Sequence, residues 1–303
     1  MFNDNAPLVG WASLFVIFGA PALVALAGMF ARGLAAGPAE RWNWRLSINS
    51  GLLQVIAFCL IFLLQEIFLV LPKAFVPGLE PTLYHNNHTW RGDDPLASLF
   101  QGTGALVCLL TATGLLVWLR RSPPRSLEMR LLVLWLAFDG FFESIPQFVV
   151  GAALPANDVG MAMTYFGLTL ANKLALAFMA LIAIAGLSIW FARAFLELEI
   201  DHSRIDTPRK RVRFVSLSAV LPAFAALPAI ILFRVPGSLD QVVLVPVAVA
   251  LIGMSWMLPA AARIERVRYA PVSLPRSPRT LLIATLLLLL VFQIVLRPGI
   301  HFY

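Results

Sequence analysis

The chain reads as an all-α integral membrane protein, a polytopic helical bundle of about eight transmembrane helices. Three observations carry that reading. Of its 303 residues 60% are hydrophobic. Only 13% are charged, against roughly 25% in ordinary soluble domains. The apolar residues also fall into eight separate runs, each long enough to cross a hydrocarbon layer of about 30 Å. The segments between runs are short, so residues 1–303 read as a single polytopic membrane domain.

The runs lie near residues 8–30, 50–72, 97–119, 128–151, 172–193, 213–233, 240–262 and 279–297. Ahead of the first, MFNDNAPLVG carries Asp4 and no basic residue. It lacks the positive region of a secretory leader, and the run is expected to stay as a span. The second run ends at Pro72. The third follows Asp93, Asp94 and Pro95, and the two aspartates suit the N-terminal cap and dipole of a helix. The fourth contains Pro146, which removes the partner of the Phe142 carbonyl and predicts a kink.

The fifth run is too long. From Val159 to Phe195 the apolar pattern covers 37 residues, about 55 Å as one helix. We therefore expect a span from Asn172 to Arg193, preceded by an interfacial or re-entrant segment, VGMAMTYFGLTL. Non-helical backbone at membrane depth needs protein or a wet cavity around it. The first, sixth, seventh and eighth runs hold no ionisable residue in their interiors and read as scaffold; the last is LLIATLLLLLVFQIVL.

Eighteen of the 23 Lys and Arg residues sit in alternate segments between the runs, in four groups: Arg32 to Arg45, Arg120 to Arg130, Arg193 to Arg213 and Arg263 to Arg279. Only Lys73, Arg91, Arg234 and Arg297 lie on the other side, with Lys173 at the edge of a span. The positive-inside rule then puts both termini and the loop 73–96 outside the cytoplasm. An excess of Arg over Lys, 20 against 3, suggests a GC-rich bacterial gene and an inner-membrane location. Because the positive charge is confined to loops, the net +7 does not indicate nucleic acid. The loop 194–212 turns from acidic to basic and reads as a helix extension followed by a lipid-facing anchor. The lipid bilayer is the expected partner, and the Gly33/Gly37 spacing is compatible with partner membrane proteins. Cys59 and Cys108 fall inside spans and read as buried apolar residues, not as a disulfide or a zinc site.

Polar chemistry gathers in a few places. The outer loop holds LYHNNHTWRGDD, in which His85 and His88 are three residues apart; on a helix they would share a face suited to a metal. Within the spans, Asp139, Glu143 and Gln147 follow an i, i+4, i+8 spacing that stacks them as one stripe. An ionisable residue inside a span costs about 2.5 to 3.5 kcal/mol on the insertion scale, which marks it as a functional candidate. Glu66 near the outer end of the second run and Gln101 at the start of the third complete an outward-facing tier. Asp158 lies beside it, as a helix cap or as a member. Lys173 snorkels to the interface or pairs with Glu66 or Glu143.

Three functional readings follow. The first is a membrane-embedded metal-dependent enzyme, a hydrolase, in which His85, His88, Glu143 and Asp139 hold a divalent metal, zinc or manganese. Glu66, Asp139 and Glu143 are its catalytic carboxylates, with Glu66 as general base, and Gln101, Gln147, Asp158 and Lys173 give polar support. The second is a proton- or cation-coupled transporter in which Asp139 and Glu143 change protonation; against it, the cytoplasmic halves of the spans offer few polar residues below Asp139 apart from Asn49 and Ser50, and no complete path is visible. The third is a non-catalytic subunit of a membrane complex. No H-E-x-x-H is present, and four histidines are too few for multiple histidine boxes.

Overall fold

A computed structural model describes residues 6–31, 42–268 and 272–303. Asp4, Arg32, Gly33, Gly37 and Arg41, used in the sequence reading, lie outside the described residues. Among the described residues eight long apolar helices form the bundle: α1 (Pro7–Ala27), α2 (Trp44–Val70), α3 (Thr103–Arg121), α4 (Leu127–Ala153), α6 (Leu170–Leu196), α7 (Pro208–Arg234), α8 (Asp240–Ala261) and α9 (Arg279–Leu296). A short helix, α5 (Asp158–Tyr165), lies between α4 and α6. The fold is the expected all-α membrane bundle.

Local chemistry sets the helix starts. Asn43, Ser126, Thr169 and Thr207 each accept a backbone N–H from the first turn of α2, α4, α6 and α7, and Pro208 occupies the first turn of α7, where no N–H is needed. Asp94 Oδ1 likewise accepts the Leu96 N–H at 2.8 Å, as its capping role predicts. The helix α4 continues through Pro146 to Ala153.

α4 is the axis of the molecule, the most deeply buried of these eight helices, whereas α1 and α9 are the least buried. It packs on α2, α3, α5, α6 and α8, and Trp135, Phe138 and Phe142 meet Phe191 and Phe195 of α6 in edge-on and tilted contacts that form an aromatic core. Close approach of α3 to α4 depends on Gly140, where an added Cβ would stand 2.9 Å from the Ala112 Cβ and 3.0 Å from the Cys108 carbonyl.

The overlong fifth run is divided where a glycine permits it. α5 ends at Tyr165, Gly167 adopts a left-handed φ of +62°, and Thr169 caps α6. α6 therefore starts two residues before the expected Asn172 and runs three past Arg193. α5 buries Val159, Gly160, Ala162 and Met163 against α4 and the Leu96–Phe100 helical turn.

The HNNH loop is not helical. It is a β-hairpin, β1 (Glu80–Leu83) with β2 (His88–Arg91), and β3 (Ile300–His301) adds to the other edge of β1. Leu83 pairs with His88, and the Tyr84 N–H donates to the Asn87 carbonyl at 2.8 Å across the turn. At the open end Gly92 has φ +101°, and a Cβ there would lie 2.0 Å from the Gly78 carbonyl oxygen. Successive strand residues point to opposite faces, so a shared helix face for His85 and His88 does not exist. Pairing of β3 with β1 brings the C-terminus to the hairpin end of the bundle. The opposite end carries the arginine clusters, yet Arg211 of the presumed lipid anchor is buried there, donating to the Ile205, Asp206, Ala261 and Ala262 carbonyls.

Candidate functional site

Helices α2 and α4 both start at the arginine-rich end, so they lie parallel and side by side. Their polar residues meet in step. Trp135 Nε1 donates to Ser50 Oγ at 3.0 Å, and Ser50 donates on to the Ser218 carbonyl at 2.6 Å. One turn further, Gln54 Nε2 donates to Asp139 Oδ1 at 3.0 Å. Nearer the hairpin, Gln147 Nε2 donates to Gln65 Oε1 at 3.1 Å and to the Glu143 carbonyl at 2.8 Å. At the arginine-rich end, Asn49 Nδ2 donates to the Arg276 carbonyl at 3.1 Å and lies 3.5 Å from Glu128 Oε1. The stripe spaced along α4 thus faces a second stripe on α2, and together they form a polar seam.

Glu143 stands in the middle of this seam. Among the described residues neither of its carboxylate oxygens, both buried, has a hydrogen-bond partner, and the same holds for Asp139 Oδ2. Such a group needs a proton or a counter-charge. The cation that acts on Glu143 is Arg234. It is buried with its guanidinium 3.8 Å from the centre of the Phe62 ring, and its Nε donates to the Gln241 carbonyl at 2.8 Å.

Above the seam the hairpin closes a second cluster. His88 Nδ1 lies 2.7 Å from Glu66 Oε2, and His88 Nε2 lies 3.1 Å from Gln101 Oε1. The same Gln101 oxygen accepts from Lys73 Nζ at 3.1 Å, and Lys73 also donates to the Leu69 carbonyl at 2.7 Å. Trp90 covers both bases, stacked on His88 and 4.7 Å from the Lys73 ammonium. An amide oxygen accepts only, so His88 Nε2 carries a hydrogen. One further proton therefore sits between Nδ1 and Glu66, on either group.

Asp158, at the first turn of α5, interacts through space with His88, Glu66 and Lys73. Burial pushes its carboxyl up to about 6, with Glu66 adding to the rise and His88 and Lys73 opposing it.

Other sequence candidates stand elsewhere. His85 Nε2 faces the Val235 carbonyl at 3.1 Å, and Asn86 donates to the Arg234 and Pro236 carbonyls at 2.7 and 2.6 Å. These two residues clamp the α7–α8 turn. Burial lowers the His85 imidazole below its ordinary value, and its Nδ1 has no partner among the described residues. Lys173 donates to Thr164 Oγ1 at 3.2 Å, tying α6 to α5, and not to Glu66 or Glu143. Among the described residues no three of His, Cys, Asp and Glu converge closely enough to hold a metal ion.

The structure thus unites Glu66, His88, Gln101 and Asp158 at the hairpin, and Asp139, Glu143 and Gln147 along the seam. Sequence reasoning missed three members. Lys73 and Arg234 were counted as cations of the outer loops, but both fold inward. A signal was present for the third: Gln54 lies four residues after Ser50 on α2, the spacing that also marks Asp139 and Glu143 on α4. Compared with protein-family models, with curated proteins and with solved structures, the chain matches none.

Proposed function

We propose that the chain is a proton-coupled membrane transporter, with Glu143 and Asp139 as the groups that take up and release the coupling proton. One observation carries the reading: polar side chains line the α2–α4 interface at successive turns, from Asn49 and Ser50 through Gln54 and Asp139 to Glu143, Gln65 and Gln147. Past Asp139, toward the arginine-rich end, the line consists of Ser50, which accepts from Trp135 Nε1, and Asn49, which donates to the Arg276 carbonyl. Steps of four residues are about 6 Å along the axis, short enough for a water or a rotamer change to pass a proton. Glu66, His88 and Asp158 form the entry at the hairpin end, the side that the arginine distribution predicts to be extracytoplasmic.

The test needs no cargo. Proteoliposomes on a solid-supported membrane are given a pH jump, and the transient current from proton binding is recorded. Wild type should give a current that Glu143→Gln and Asp139→Asn reduce by about tenfold or more. Equal currents in wild type and Glu143→Gln would overturn the proposal.

A second reading, a metal-dependent hydrolase, draws on the unpartnered ligand atoms: His85 Nδ1, Asp139 Oδ2 and both oxygens of Glu143. It requires the hairpin to move, because His85 is held against the Val235 carbonyl, His88 has both nitrogens engaged, and among the described residues no three such ligands converge. Zinc or manganese found at near-stoichiometric level in the purified protein, and lost in His85→Ala and Glu143→Ala, would favour it over transport.

A further inference from the structure

At the arginine-rich end, far along the bundle from the hairpin, the last turn of α3, the first turns of α4, the end of α6 and the chain after α8 enclose a cavity of about 640 Å³. Five arginines line it, Arg120, Arg130, Arg193, Arg266 and Arg268, against a single acid, Glu197. The remaining wall is apolar, formed by Leu119, Leu134, Trp190, Ala194 and Val267.

Five cations around one cavity repel each other and are held there by other contacts. Arg193 Nη2 donates to the Arg266 carbonyl at 2.9 Å, joining α6 to the segment after α8. Arg130 Nε donates to the Pro124 carbonyl at 3.1 Å, and the Arg120 guanidinium lies over the Trp190 ring at 5.4 Å. Four of the arginines, Arg193, Arg268, Arg120 and Arg130, act electrostatically on the Glu197 carboxylate. Even with Arg130 set aside, one carboxylate cannot neutralise the guanidiniums of Arg120, Arg193, Arg266 and Arg268, so the cavity keeps a positive field. Its volume falls in the range of small-molecule sites, about 300 to 1,000 Å³.

We infer that this cavity binds a phosphate-bearing anion, held by the Arg120, Arg193, Arg266 and Arg268 guanidiniums with its apolar part against Trp190, Leu134 and Val267. Arginine forks match phosphate oxygens bidentately. Basic pockets between helix ends on the cytoplasmic side are suited to anionic lipid headgroups, and a soluble phosphate compound offers the same recognition chemistry. The inference is independent of the transport reading.

Binding to the full-length protein in a zwitterionic detergent is measured with three probes: dioctanoyl phosphatidylglycerol, dioctanoyl phosphatidylcholine and inorganic pyrophosphate. Phosphatidylglycerol bound well above phosphatidylcholine identifies a lipid site; pyrophosphate bound in place of phosphatidylglycerol identifies a soluble ligand. In either case Arg120→Gln/Arg268→Gln should weaken binding by about tenfold or more, whereas Arg209→Gln outside the cavity leaves it unchanged. Should the double variant fail to fold, Glu197→Gln decides, since removing the opposing charge must tighten the anion by about threefold or more. Equal binding of phosphatidylglycerol and phosphatidylcholine with no pyrophosphate binding, or an affinity that neither set of substitutions moves, would overturn the inference.

Discussion

Substituting His88→Ala tests whether the hairpin cluster is an interacting unit. The His88–Glu66 contact is 2.7 Å long, and its side chains are only 6% and 7% exposed, so bulk water does not replace the lost partner. Gln101 keeps Lys73 as a donor at 3.1 Å, and the cost therefore falls on Glu66. Removing one member of a buried pair typically costs about 3 to 5 kcal/mol. Replacing the orphaned carboxylate by a neutral amide lowers the penalty to about 1 to 3 kcal/mol. The double variant Glu66→Gln/His88→Ala should then be about 2 kcal/mol more stable than His88→Ala alone, a coupling well outside additivity. Reversible unfolding in mixed micelles, with free energies extrapolated to zero denaturant, gives all four corners of the cycle. Loss of less than about 1 kcal/mol in His88→Ala, or a double variant no more stable than the single, would refute the reasoning.

Asp158 gives a pH prediction. Its carboxyl stands at about 6 against an ordinary 3.8, so between those values the folded state binds more protons than the unfolded state, and stability falls as pH rises from about 4 to about 6 before levelling off. Asp158→Asn should abolish that slope and be the more stable protein at pH 8, by at most about 3 kcal/mol; a wild-type unfolding midpoint flat over this window would refute it. Gln54→Leu removes the donor to buried Asp139 Oδ1 and should cost about 1 to 3 kcal/mol, with most of the loss recovered in Gln54→Leu/Asp139→Leu when unfolding is compared under one set of conditions. Gly140→Leu drives a side chain into Ala112 and the Cys108 carbonyl; a penalty of about 1 to 3 kcal/mol should appear as a lower thermal midpoint, whereas Gly114→Leu, with nothing within 4 Å of its added Cβ, should be nearly neutral.

How much of this was legible in the sequence depended on the range of the interaction. Span number and position follow from hydropathy, a local property, and all eight runs became helices. The seam on α4 was legible because Asp139, Glu143 and Gln147 share a helix face by spacing alone. Its facing half was only partly so: Gln54 carries no charge, and its role exists only because α2 lies parallel to α4. The histidines were misread for a different reason. A helical i, i+3 rule was applied to a segment whose Gly78, Gly92 and Asn86-Asn87 turn form a hairpin, and the hairpin sends His85 to α7 and His88 to α2. Lys73 and Arg234 obeyed the charge rule in their chain position but not in their direction. That rule counts loop charges and is blind to a side chain that turns back into the bundle.

Those two inward cations bear on the proposed mechanism. The connected interior holds four carboxyls, Glu66, Asp158, Asp139 and Glu143, facing two cations, Lys73 and Arg234. With every carboxyl ionised and His88 neutral, two negative charges would remain, at a cost of several kcal/mol each where water is excluded. Two added protons restore neutrality. The geometry offers one place for the first, between His88 Nδ1 and Glu66 Oε2, and another for the second, among Glu143, Asp139 and their unpartnered oxygens. Asp158, whose carboxyl titrates at about 6, is the member able to exchange protons with the hairpin side near neutral pH. Each loss of a proton from this set must be balanced by the return of another or the approach of a cation. A buried charge set with that property supports coupled movement of protons or cations across a membrane.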